Sequence, residues 1–228
     1  MFRTNNVAPG ATRSETARET VRDTKRPARQ AVLELWLILH GETPWASEGR
    51  ALGQSDPPLS EYGVQQAEHL AERLRDVGFD AVYASDLTRA RYTARLALPA
   101  AEIRLEPRLR ELDFGVWEGK AWASLTGDDR GALERFRRDP YREHAPGGES
   151  YEDVQARVRA WLDELPPSGR VAAFTHGGVV RSLLYSFTGL PDGAAWRFAT
   201  DPGSLTRVQL GPQGAVLYAL NDTAHLGG

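Results

Sequence analysis

The chain has no cysteine in its 228 residues. That excludes disulfide staples, thiolate nucleophiles, zinc–cysteine sites and iron–sulfur clusters, and it suits a cytoplasmic protein, which is the expected location. It has no long apolar run. None approaches the roughly 18 residues needed to span a bilayer, so a membrane is not expected as a partner. It has little excess charge, with a formal net charge of -3, which gives no electrostatic reason to expect nucleic acid. It also lacks HExxH and any run of carboxylates that suggests metal, so neither a metal nor a cofactor is expected. At 228 residues it can bury a substantial core without staples. Nothing on the helix faces marks an oligomer interface.

Residues 1–30 are nearly free of large aliphatics and carry more basic than acidic side chains. Such a segment cannot bury enough apolar surface to offset its ordering entropy, so it is expected to be a disordered basic tail. No apolar stretch follows its first arginines, which argues against a secretory signal. Residues 31–228 form the expected folded domain.

What is present there alternates between strand and helix signals. Val32 to Leu39 is almost wholly apolar and of strand length, as in a central strand buried on both faces. Glycines and prolines make residues 41–59 a long loop. Ser60 can cap a helix in which Val64, Ala67, Leu70, Ala71 and Leu74 share one face, with Gly78 closing it. A strand over 80–84, a helix over 86–98 and a strand over 102–105 follow. A helix lies around 129–138, and Ser150 with Asp153 forms a capping-box pattern opening a helix to 165. Residues 170–175 read as a strand, 178–189 as a helix, and 204–210 with 215–220 as a hairpin. Trp36, Trp161 and Trp196 fall at core positions. The expectation is one α/β domain in three layers, with a mostly parallel mixed sheet, helices on both faces and a small cap insertion over 119–149.

Two apolar runs end in His-Gly: His40-Gly41 and His176-Gly177. Ligands of such sheets bind beyond the carboxyl ends of the strands, where both histidines fall. One strand-end histidine is more often structural. Two of them, each followed by a glycine that can expose its N–H, suggest imidazoles converging on a phosphate. Arg89 and Arg91 follow another strand but face different ways on a helix, so one of them is expected to reach the site. A plain solvated helix face is the alternative. Glu111 sits among leucines and Phe114, where a carboxyl should hold its proton to higher pH, unless Arg110 ties it into a salt bridge. His69 reads as solvated, His144 as a loop residue with a lesser chance of touching substrate, and His225 as structural.

The ordered motifs over 39–43, 49–54, 58–60, 85–90, 110–112, 114–119, 146–150 and 175–181 together resemble the histidine phosphatase superfamily. The similar branch is that of cofactor-dependent phosphoglycerate mutase and α-ribazole phosphatase. The resemblance implies hydrolysis of a small phosphorylated metabolite in two steps. His40 attacks phosphorus, and Glu111 protonates the leaving alcohol and then activates water. Arg89 and His176 hold the phosphoryl oxygens, with Gly41 and Gly177 at the substrate. The expected partners are a small phosphorylated substrate or inorganic phosphate. The chain departs from the pattern at Leu39, where the family has arginine, and at Ala46, where relatives often have asparagine. Losing one charged transition-state contact typically costs about 3–4 kcal/mol, or roughly 10²–10³ in rate. The resemblance leaves a phosphoglycerate mutase as one alternative, and Leu39 adds a non-catalytic phosphate binder as another.

Overall fold

The computed structural model describes residues 31–189 and 197–227. The basic tail at 1–30 and Trp196 lie outside the described residues. Six strands form one sheet in the order β3-β2-β4-β1-β5-β6. Strands β1 (Leu33–Leu39), β2 (Ala81–Ala84), β3 (Ile103–Leu105) and β4 (Gly169–Thr175) are mutually parallel. The antiparallel hairpin of β5 (Leu205–Gly211) and β6 (Gly214–Asp222) closes the other edge. This is the α/β fold that the alternation of signals predicts.

Pleating explains the layers. Along β1, Leu33, Leu35 and Leu37 face one core, with Val158 and Trp161 of α5 (Tyr151–Leu162) and Val180 and Leu183 of α6 (Gly177–Thr188). Trp36 and Ile38 face the other, with Leu70 and Leu74 of α2 (Glu61–Leu74) and Ala94 of α3 (Thr88–Ala97). A central strand buried on both faces is apolar on both, which is why Leu33 to Leu39 shows no alternation; Glu34, near its start, is half-buried and pairs with Arg170.

Several ends differ from expectation for local reasons. Residues 41–59 are not all loop: α1 (Pro44–Ser47) forms there, with Thr43 Oγ1 accepting from the Ala46 N–H and proline at the first turn. Helix α2 begins after Ser60, whose Oγ accepts from the Gly63 N–H, but stops at Leu74, short of Gly78. Helix α3 starts at Thr88 rather than 86, after an extended Leu87, and the Asp86 carboxylate pairs with Arg110 instead. The capping box of Ser150 and Asp153 is formed in full and opens α5, which ends at Leu162. Helix α4 (Gly127–Arg138) lies in the cap segment and packs Phe136 beside Trp117 and Phe114. Among the described residues no helix is long and apolar enough to cross a membrane.

Candidate active site

Register brings the two histidines together. Strands β1 and β4 are parallel with Leu39 opposite Thr175, so the next residue of each strand leaves the sheet at the same level. The His40 N–H donates to the Thr175 carbonyl at 3.2 Å, and the imidazole centroids are 5.0 Å apart. His40 Nδ1 lies 2.7 Å from the Gly41 carbonyl, while Arg89 Nε donates to His40 Nε2 at 3.2 Å. A nitrogen that accepts must carry a lone pair, so the proton sits on Nδ1 and the ring is neutral. Burial pushes the His40 pKa down to about 3, with the Arg89 charge acting the same way and the Gly41 carbonyl opposing. Burial also holds His176 well below the usual histidine range, with Arg89 and His40 adding to it. His176 is fully buried, yet neither of its ring nitrogens has a hydrogen-bond partner among the described residues. Both ring nitrogens are therefore open to a hydrogen-bonding group beyond the described residues.

Arg89 comes from the first turn of α3, after the neighbouring strand β2. Asp56 anchors that turn by accepting from the Thr88 N–H and hydroxyl, both at 2.7 Å. Arg89 is fully buried; it donates through Nη1 to the Ser55 carbonyl at 2.8 Å and through Nη2 to the Gly53 carbonyl at 2.6 Å. Burial pulls its pKa down, against the charges of Glu111, Asp56 and Glu118, but a guanidinium stays charged. Arg91 turns back toward Thr88 Oγ1 instead. The loop that grips Arg89 is itself held by Glu118. That carboxylate accepts from the N–H groups of Gly53, Gln54, Ser55 and Phe114 at 2.8–3.3 Å. A side chain at Gly53 would overlap the Glu118 carboxylate.

Glu111 approaches from the segment after β3. It is not paired with Arg110, whose guanidinium makes a two-pronged bridge to Asp86 at 2.8 and 2.5 Å. The Glu111 carboxylate accepts from the N–H of Leu112 at 2.8 Å and of Gly178, in the first turn of α6, at 2.9 Å. Gly178 must be glycine, because a Cβ there would run into that carboxylate. Burial pushes the Glu111 pKa up, against those two hydrogen bonds and the Arg89 and Arg181 charges. Arg157 of α5 fixes the backbone: it donates to the Arg108 and Glu111 carbonyls at 2.6 and 3.0 Å, while Glu149 holds its Nε at 2.9 Å.

The two glycines after the histidines have separate tasks. The Gly41 N–H is taken by Thr93 Oγ1 at 3.0 Å, and a Cβ there would overlap the Gly63 backbone. Its glycine lets α2 approach and its carbonyl sets the His40 tautomer, in place of the expected N–H toward a ligand. Gly177 opens α6, where backbone N–H groups form the positive end of the helix dipole. His69 is exposed, His144 Nδ1 is hydrogen-bonded to the Ala145 carbonyl, and His225 Nε2 lies 3.0 Å from the Gly203 carbonyl. That carbonyl's residue in turn donates its N–H to the His40 carbonyl at 3.0 Å.

Leu39 is buried, and among the described residues Arg89 is the one guanidinium hydrogen-bonded to His40. A cavity of about 540 Å³ opens beside Glu111 and Gly178, with Ala46 on its wall and α4 as its cap. Sequence reasoning missed the clamps Glu118 and Arg157. Glu118 stands inside the motif over 114–119, so the signal was present without its meaning: its four N–H partners are distant in the chain or on its own turn. Among the described residues no group of three or more His, Asp or Glu side chains could hold a metal ion.

The family description "Histidine phosphatase superfamily (branch 1)" matches residues 35–223. A curated relative, "Probable phosphoglycerate mutase GpmB" of Enterobacter sp. (strain 638), is 38% identical over 205 residues, covering 86% of this chain and 95% of the relative. The α-ribazole phosphatase of Shigella flexneri superposes with a TM-score of 0.75 at 31% identity, over 83% of this chain and 96% of that one. Bacillus stearothermophilus YhfR gives 0.78 at 31% identity, over 85% and 99%. A phosphoglycerate mutase from Thermus thermophilus gives 0.63 at 41% identity, over 82% and 99%.

Proposed function

The chain belongs to the histidine phosphatase superfamily, branch 1, and from that premise we propose that it is a phosphomonoesterase acting on a small phosphorylated metabolite through a phosphohistidine at His40. The observation that carries the proposal is the state of His40: neutral, with its proton held on Nδ1 by Gly41 and the lone pair on Nε2 beside Arg89 and His176. An imidazole that stays neutral far into acid is always available as a nucleophile.

In the first step Nε2 of His40 bonds to phosphorus in line with the departing oxygen. The P–O ester bond breaks, and the Glu111 proton goes to that oxygen. Arg89 exchanges its contact with Nε2 for phosphoryl oxygens, and the one N–H of the neutral His176 ring and the Gly177 N–H donate to the same charge. In the second step water attacks phosphorus, Glu111 takes its proton, the N–P bond breaks and phosphate leaves. Glu111 suits both roles because burial favours its protonated form while two N–H groups steady the anion. Leu39 leaves this centre one positive charge short of the family pattern, so turnover is slow.

The test uses the protein with its Leu39→Arg and His40→Ala forms against p-nitrophenyl phosphate and a panel of metabolite phosphates. Leu39→Arg is expected to gain roughly 10²–10³ in rate, and His40→Ala to lose turnover. A mutase reading draws on the names of the relatives from Enterobacter and Thermus. Phosphate moved between positions of phosphoglycerate with little hydrolysis would replace the phosphatase reading with it. A Leu39→Arg form that releases phosphate from nothing would leave a phosphate binder.

A further inference from the structure

The cavity beside Glu111 is where the leaving group of a phosphoester would lie, and its walls are chemically lopsided. Leu52, Phe114, Trp122 and Phe136 give it apolar, largely aromatic sides, with Phe114 edge-on to Trp122 at 5.1 Å and to Phe136 at 6.2 Å. Among the described residues its one carboxyl group is Glu111, against the guanidinium groups of Arg50, Arg137 and Arg181. Arg50 is already bridged to Glu48 and donates to the Gly119 carbonyl, and Arg181 donates to the Phe198 carbonyl. Arg137 has no hydrogen bond or ion pair among the described residues. It extends from α4 one residue after the buried Phe136, so the same helical turn offers an aromatic wall and an uncommitted cation.

A polyhydroxylated leaving group would strip water from the hydroxyls that meet the aromatic sides, which offer them no partner. An apolar body would not, and a second anion on it would meet Arg137. At about 540 Å³ the space is large for a three-carbon acid and suits a ring with a short substituent. We propose that the substrate is a phosphate monoester whose alcohol carries an aromatic or similarly flat apolar body and, at its far end, a second anionic group read by Arg137. This rests on the phosphatase reading of the site.

Three primary-alkyl esters of similar intrinsic reactivity test it: glycerol 1-phosphate, benzyl phosphate and 4-carboxybenzyl phosphate. The expected order of kcat/KM is 4-carboxybenzyl over benzyl over glycerol, each step on the order of tenfold. Arg137→Ala should bring the 4-carboxybenzyl to benzyl ratio close to one, and Arg137→Lys should restore part of it. Glycerol 1-phosphate used as well as benzyl phosphate, or a ratio untouched by Arg137→Ala, overturns the inference. If neither the protein nor its Leu39→Arg form hydrolyses any of the three or any other phosphate ester, the phosphatase reading fails by itself. The pocket is then judged by titrating 4-carboxybenzylphosphonate into the protein. Affinity roughly tenfold weaker in Arg137→Ala upholds the assignment, and equal affinity overturns it.

Discussion

At the scale of single residues, the candidate site depends on two neighbouring groups pushed to opposite protonation states by one cause. Burial disfavours charge, so His40 stays neutral while Glu111 tends to keep its proton. The base form of one and the acid form of the other therefore coexist between the lowered pKa of His40 and the raised pKa of Glu111. For an alkyl phosphate, kcat/KM is expected to fall as pH rises through the elevated pKa of Glu111, with no loss of activity near pH 6.5 from His40. Glu111→Gln should cost roughly 10²–10⁴ on that substrate. On p-nitrophenyl phosphate, whose leaving group needs no proton, it should leave a rapid burst followed by slow turnover. A pH profile unchanged by Glu111→Gln would remove Glu111 from the chemistry. Leu39 shows the opposite lesson, because it completes the apolar strand and is buried there without bringing any charge.

At the scale of elements, the site is assembled from residues beyond four parallel strand ends: His40 after β1, His176 after β4, Arg89 after β2 and Glu111 after β3. Helices and loops then fix each group. Glu118 ties the 53–55 loop whose carbonyls grip Arg89, so it acts as a positioning residue at one remove from His40. Glu118→Gln puts an amide nitrogen among four N–H donors, and it is expected to lower kcat about tenfold or more and weaken vanadate binding. Glu118→Asp, which keeps the charge, should recover part of both. Unchanged vanadate affinity in a folded Glu118→Gln protein would refute that role. Much of this was legible in sequence. The His-Gly echo gave the two strand ends, because an apolar run and a period-two pleat are local. The Ser150 capping box is likewise local. The hold of Glu118 on residue 53, or of Arg157 on Glu111, depends on which segments meet in space, and no local pattern carries that. The same holds for Gly41, whose need for a missing side chain comes from Gly63 on α2.

At the scale of the whole molecule, the buried imidazoles tie stability to pH. His40 and His176 have ordinary values near 6.5 when unfolded and lower ones when folded. Below 6.5 the unfolded chain binds protons that the folded one refuses, so their contribution is present above that pH and lost as pH falls. Glu111 has the opposite sign, since the folded chain keeps its proton above the ordinary 4.5. His225, whose pKa burial also lowers, adds to the same side, so three imidazoles outweigh one carboxyl. The free energy of unfolding by urea should therefore drop as pH falls from 6.5 to 5. His176→Asn should lessen that slope markedly, and a slope of the reverse sign would contradict the burial argument. The most direct test of the central claim is the intact mass of the Glu111→Gln protein quenched during its reaction with p-nitrophenyl phosphate. The prediction is a gain of one phosphoryl group that is labile to acid, stable to base and absent when His40→Ala is added. Phosphate released while the chain never gains mass, or a gain that survives His40→Ala, would contradict it.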